Sequence, residues 1–154
     1  MENIRVQLAF KKKDSNSGVL QKSICWYTKS DYYHVELVIN NTWVSVFPET
    51  GVKLNTLRPL KDTWDYVALK DITLTKEQYQ LFSKFLREQE NKNYDGLGIF
   101  LSQIIPLKIE NEHKWFCSEL VVKLLQMLYV EQTFYLVPAL TSPGTLSTIF
   151  LQRK

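Results

Sequence analysis

Two β-patterned runs, residues 35–39 (Val-Glu-Leu-Val-Ile) and 42–47 (Thr-Trp-Val-Ser-Val-Phe), are separated only by Asn40-Asn41. Asparagine tolerates the left-handed backbone conformations that a two-residue hairpin loop demands. A loop that short leaves little freedom of register, and it opposes Glu36 to Ser45 and His34 to Phe47. Side chains alternate along a strand, so Val35, Leu37, Ile39, Val44 and Val46 share one face. That face is apolar and belongs to a core. His34, Glu36, Trp43, Ser45 and Phe47 share the other face. A polar His-Glu-Ser group there suits a catalytic wall, and it equally suits a solvated strand face.

The surrounding chain is patterned for an α+β domain, with an antiparallel, meander-like sheet packed against helices. Residues 4–10 alternate apolar and polar as a half-buried strand. Residues 14–18 (Asp-Ser-Asn-Ser-Gly) are a loop. Residues 19–27 carry Val19, Leu20, Ile24 and Tyr27 at roughly helical spacing, with Cys25 as packing. Residues 48–51 form a turn, 52–55 a short strand, 57–62 an irregular stretch around Pro59, and 64–70 another strand. Thr75 and Gln78 fit a capping box, and the helix that follows places Tyr79, Phe82, Phe85 and Leu86 on one stripe, ending near Glu90-Asn91. Residues 94–98 break that pattern, 99–105 form a short apolar helix stopped by Pro106, and 108–114 make a polar connection. Ser142-Pro143 supplies an N-cap and a first-turn proline for a last helix over 145–151.

Between these comes Trp115-Phe116-Cys117-Ser118-Glu119-Leu120. Leu120, Val121, Leu124, Leu125 and Leu128 recur at helical spacing, which predicts a helix reaching about Tyr129 with Cys117 in its first turn. Amide N–H groups in a first turn lack intrahelical partners, and the helix dipole favours negative charge there. A thiol so placed ionises more readily, and the thiolate is the nucleophile. The competing reading is that Cys117, between bulky aromatic neighbours, is a small buried hydrophobe.

The size of the chain, 154 residues with 45% hydrophobic and 13% aromatic content, predicts a single folded domain over 1–154. A net charge of +3 is too mild to indicate a nucleic-acid partner, and Lys11-Lys12-Lys13 reads as a solvated strand end. Only two cysteines are present, without metal-ligand spacing, so neither a metal nor a cofactor is expected. No run approaches membrane-spanning length, and the first residues lack the apolar core of a secretory leader. A reducing, cytoplasmic setting is therefore expected, which suits a free thiol.

A cysteine hydrolase needs a thiolate, an adjacent imidazole and a group that orients the imidazole. Cys117 and His34 supply the first two. Glu36, two residues from His34 on the same face, is favoured as the third, because a carboxylate both aligns the ring and stabilises imidazolium. Ser45 and Ser118 are further candidates for orienting the base or holding an oxyanion, beside the first-turn amides. His113 competes as the base but sits in the charged run 110–114, which reads as exposed loop. Glu119 compensates the helix dipole. Trp43, Phe47, Trp115 and Phe116 either line a cleft or pack.

Taken together, Tyr33-His34-Val35-Glu36-Leu37 on a strand and Phe116-Cys117-Ser118-Glu119-Leu120 opening a later helix resemble the permuted NlpC/P60 superfamily of papain-like folds. In that group a circular permutation puts the sheet and its histidine ahead of the cysteine helix. The His-x-Glu-Leu strand is most similar to members from bacteriophages and large DNA viruses. Trp43-Val44-Ser45, Gly51-Val52 and residues 94–98 also look like this group, and the resemblance spans roughly 26–128. It implies a Cys117 nucleophile with His34 as base, acting on an amide, ester or thioester in a peptide or lipid-like acyl substrate. Many relatives carry the third polar residue on the strand after the histidine. Here that region holds Ser45 and Val46, which leaves Glu36 as the substitute. The departure also motivates a second expectation, a catalytically silent virion or host-interaction module on the same fold. A third is a lipid-directed acyl enzyme, suggested by the aromatic residues near both motifs.

Overall fold

The computed structural model describes residues 1–47, 51–56, 62–94, 114–115 and 117–152. The elements run β1 (Glu2–Ile4), β2 (Val6–Lys12), α1 (Val19–Thr28), β3 (Tyr32–Ile39), β4 (Thr42–Phe47), β5 (Gly51–Thr56), β6 (Trp64–Ala68), β7 (Ile72–Leu74), α2 (Lys76–Gln89), β8 (Asn93–Tyr94), β9 (Lys114–Trp115), α3 (Cys117–Met127) and α4 (Pro143–Leu151). Short 3-10 turns at Glu131–Thr133 and Pro138–Leu140 join α3 to α4. The protein is α+β, as its patterning predicts.

The hairpin forms as its loop requires. Asn40 and Asn41 both have positive φ, 47° and 68°, the combination of the tight turn that matches strand twist. Leu37 pairs with Val44, Val38 with Trp43 and Ile39 with Thr42. The main sheet has five antiparallel strands in the order β5-β4-β3-β2-β6. It departs from a simple meander because β6 returns across the sheet to pair with β2.

The strand expected over 4–10 is divided at Arg5. The Arg5 amide donates to Asn40 Oδ1 at 3.0 Å and its carbonyl accepts from the Asn40 amide at 3.0 Å. Strand β1 then leaves to pair with β7 in a two-stranded sheet that alternation did not foretell. Likewise Lys114, expected in a polar connection, lies in β9, which pairs in parallel with β8. The expected turn residues 48–50, the stretch 57–61, the breaker at 95–98, the helix at 99–105, the connection 108–113 with His113, and Phe116 lie outside the described residues.

One sheet face carries the main core. Val6, Leu8, Phe10, Val35, Leu37, Ile39, Val44, Val46 and Val52 meet α3 through Leu120, Val121, Leu124 and Leu125, α4 through Leu146 and Phe150, and α2 through Phe82. Each fully buried aliphatic side chain of this kind contributes about 1.5–3 kcal/mol relative to exposure. Helix α3 is buried nearly all round, so it is a central helix and its first residue has little positional freedom. It stops at Met127, with Tyr129 in the left-handed region (φ 59°) and the Val130 amide reaching back to the Leu125 carbonyl. The capping box of α2 is formed: Thr75 Oγ1 accepts from the Gln78 amide, and Gln78 Oε1 accepts from the Thr75 amide. Among the described residues no helix is long and apolar enough to cross a membrane.

Helix α1 has close to the expected range and packs through Cys25, as expected. Cys25 is buried, whereas Val19 and Trp26 are more than four-fifths exposed. The spacing of Val19, Leu20 and Tyr27 signalled the helix, and in the structure that row faces outward. Periodicity identifies an apolar row without saying what it faces.

Helix α4 is capped by Ser142, whose Oγ accepts from the Thr145 amide at 3.0 Å, and it begins at Pro143. Its second residue, Gly144, lies against the end of α1. A Cβ added there would sit 2.6 Å from Ser30 Cβ, closer than real side chains approach. Gly144→Ala should therefore destabilise the protein by about 1–3 kcal/mol in urea unfolding. Most of that loss should vanish in a Ser30→Gly background. An equal loss in both backgrounds would show that the contact with Ser30 is not the cause.

Candidate active site

Strand β3 pairs with β2 along most of its length, through Val35 opposite Phe10 and His34 opposite Lys11. Its recorded pairing with β4 covers only Leu37 to Ile39, although β4 continues to Phe47 against β5. The first turn of α3 uses this opening. The Cys117 sulfur accepts hydrogen bonds from the amides of Val35 and Ser118 and is hydrogen-bonded to the His34 ring. A sheet amide is thus satisfied by a thiol from a helix.

His34 Nε2 lies 2.9 Å from Glu36 Oε1, which leaves Nδ1 for the sulfur. Ser45 Oγ donates to Glu36 Oε2 at 2.7 Å. Cys117, His34, Glu36 and Ser45 therefore form one continuous hydrogen-bonded series, with Ser118 beside the sulfur. All five residues singled out in the sequence come together. Glu36 is in contact with the imidazole, and Ser45 stands behind Glu36. Glu36 and Ser45 are wholly buried and Cys117 is 4% exposed, while the His34 side chain is 16% exposed. The imidazole is thus the most open member of the series.

The electrostatics follow from that geometry. Burial alone disfavours a charged imidazole, but the Cys117 sulfur and the Glu36 carboxylate outweigh it, and the His34 pKa is raised. Burial also disfavours a thiolate at Cys117. His34, together with the Val35 and Ser118 amides, outweighs it and holds the thiol below its ordinary range. Both shifts act in the same sense, favouring transfer of the proton from sulfur to imidazole. Cys25 is the reverse case: burial raises its pKa, Lys13 only partly opposes this, and Asp31 adds to it.

An aromatic wall adjoins His34. Trp64 meets the imidazole edge-on at 6.0 Å between ring centroids, Trp43 meets Trp64 at 5.6 Å, and Tyr66 meets Trp43 at 6.1 Å. Lys11 Nζ lies 5.6 Å over the Trp64 ring. Trp43 was among the expected cleft residues, whereas Trp64 and Tyr66 were missed. Their alternation in β6 was visible, but only the crossover of β6 onto β2 brings them to the His34 face. Phe116 and the side chains of Phe47 and Trp115 lie outside the described residues. Burial and the Glu36 charge raise the Tyr66 pKa. Its hydroxyl is buried without a hydrogen-bond partner among the described residues. Among the described residues no group of three or more His, Cys, Asp or Glu side chains is arranged to hold a metal ion.

Comparison of the chain with protein-family models, with curated proteins and with solved structures found no match.

The Ser45–Glu36 hydrogen bond supports a buried carboxylate, so Ser45→Ala should destabilise the fold by about 1–3 kcal/mol. Urea unfolding of the purified variant measures this. A midpoint equal to that of the parent protein would mean that the hydroxyl contributes nothing to holding Glu36.

Proposed function

We propose that this chain is a cysteine hydrolase or acyltransferase of the circularly permuted papain-like, NlpC/P60 kind, acting at an amide, ester or thioester. The observation that carries the reading is the hydrogen-bonded series Cys117–His34–Glu36. The order of the chain, histidine strand before cysteine helix, supports the same reading.

The Cys117 thiolate attacks the acyl carbon of the substrate. Charge developing on the carbonyl oxygen falls near the first-turn amides of α3. His34 then gives its Nδ1 proton to the leaving amine, alcohol or thiol as the carbon–heteroatom bond breaks, leaving an acyl-thioester on Cys117. Water or another acceptor, deprotonated by the now neutral His34, attacks the thioester and restores the thiolate. Glu36 keeps the ring oriented and stabilises its cationic form. Ser45 keeps Glu36 in place, and so takes the supporting position that many relatives fill on the strand after the histidine.

The aromatic wall of Trp43, Trp64 and Tyr66 favours an apolar acyl or peptide group over a highly charged substrate. The near-complete burial of the Cys117 sulfur favours a second reading, a catalytically silent virion or host-interaction module retaining the fold.

Iodoacetamide separates the two. At neutral pH an active Cys117 alkylates faster than Cys25, and His34→Ala slows it by about tenfold or more, because the cation that lowers the thiol pKa is gone. The sign of the pH dependence follows from the shifts. The Cys117 thiolate is lost only as pH falls through its depressed pKa, so Cys117 should still react where Cys25 has stopped. Release of the amine from an acetyl anilide should also fall at high pH, as His34 loses, through its raised pKa, the proton that the leaving amine needs. An acetyl adduct on Cys117, seen by intact mass and absent in Cys117→Ala, completes the expected result. Equal alkylation of the two thiols, unaffected by His34→Ala, would exclude catalysis and leave the silent module.

A further inference from the structure

Helix α1 turns its apolar side away from the protein. Val19 and Trp26 lie two turns apart, as do Leu20 and Tyr27, so the four make two adjacent rows. Their exposures are 83% and 82% for the first row and 43% and 46% for the second. Cys25, on the opposite side, is the residue that α1 buries. An ordinary surface helix does the reverse, putting its apolar stripe against the core.

The charge around this face has one sign. Between Asp14 and Asp31 the only charged residues are Lys22 and Lys29. Both are exposed; Lys22, three residues from Val19 and four from Trp26, borders their row, and Lys29 follows the last turn as the left-handed C-cap. Neither is in an ion pair among the described residues, whereas the flanking acids are engaged elsewhere. Asp14 Oδ1 accepts from the Asn16 amide and the Ser17 hydroxyl. Asp31 pairs with Lys13 at 3.0 Å.

We propose that this face of α1 docks on an anionic lipid bilayer. Tryptophan and tyrosine favour the headgroup level, where an apolar ring and a polar edge are both accommodated. Aliphatic Val19 and Leu20 would enter the acyl boundary beside them. Lys22 and Lys29 would meet lipid phosphates and carboxylates, supplying the electrostatic part of the attraction. A second copy of the chain is a poorer occupant. A symmetric interface sets each patch against itself, bringing both lysine pairs together with no carboxylate from α1 to meet them. The proposal rests on α1 alone and is independent of the chemistry at Cys117.

Sedimentation with vesicles tests it. The protein should pellet with phosphatidylcholine vesicles containing about a third phosphatidylserine and stay in the supernatant with pure phosphatidylcholine. Raising the salt concentration should release it. Trp26→Ser/Tyr27→Ser and, separately, Lys22→Glu/Lys29→Glu should each weaken binding by about tenfold or more. These side chains are exposed, so both variants should keep the parent urea midpoint and Cys117 alkylation rate. The proposal is overturned by failure of the parent protein to bind anionic vesicles, by binding that the variants leave unchanged, or by a Trp26-dependent dimer forming instead.

Discussion

A carboxylate taken wholly out of water must be met by donors, and the site is built around that requirement at Glu36. One donor is His34, on the same strand and the same face. Ser45, on the neighbouring strand, also donates to it. Because the imidazole is held on its Nε2 side, its other nitrogen is left for the opening where β4 no longer pairs with β3. The Cys117 sulfur lies there, satisfied by the Val35 amide that β4 leaves unpaired. Burial acts against charge on both partners, yet their attraction and the donor amides outweigh it, raising the His34 pKa and lowering that of Cys117. Removing any one of these contacts leaves a buried polar group short of a partner, so the arrangement is mutually supporting.

The two sheet faces divide the work. The face against α3 and α4 is aliphatic and holds the central helix, which fixes where Cys117 begins. The opposite face carries Glu36, Ser45 and a small aromatic cluster of Trp43, Trp64 and Tyr66 with Ala9 and Val38. Trp64 from that cluster meets the imidazole edge-on, and the apolar surroundings strengthen the interactions of the buried series. Helix α1 stands apart from both, burying Cys25 and offering its own apolar rows outward.

Much of this was legible in the chain. Asn40-Asn41 predicted the hairpin, and the fold reproduces its register where the strands pair, from Ile39 opposite Thr42 to Leu37 opposite Val44, while the expected oppositions of Glu36 to Ser45 and His34 to Phe47 lie beyond that ladder. Thr75 with Gln78, and Ser142 with Pro143, marked helix starts through chemistry that needs no distant partner. Alternation showed that His34, Glu36 and Ser45 share a strand face, whereas their meeting with Cys117 was expected only from the order of the two motifs and their resemblance to the permuted papain-like group. Other features were not. The break at Arg5, the return of β6 to β2 and the outward apolar row of α1 each depend on a partner remote in sequence.

Local chemistry alone thus determined where the hairpin turns, which helix begins at a cysteine and which side chains share a strand face. Those outcomes follow from backbone preferences and alternation, which act over a few residues. Only the tertiary structure decided that the sulfur would take a sheet amide, that Trp64 would stand beside the imidazole and that α1 would turn its aromatic side outward. These outcomes turn on which surfaces meet, and periodicity records that a row is apolar without recording what it will face.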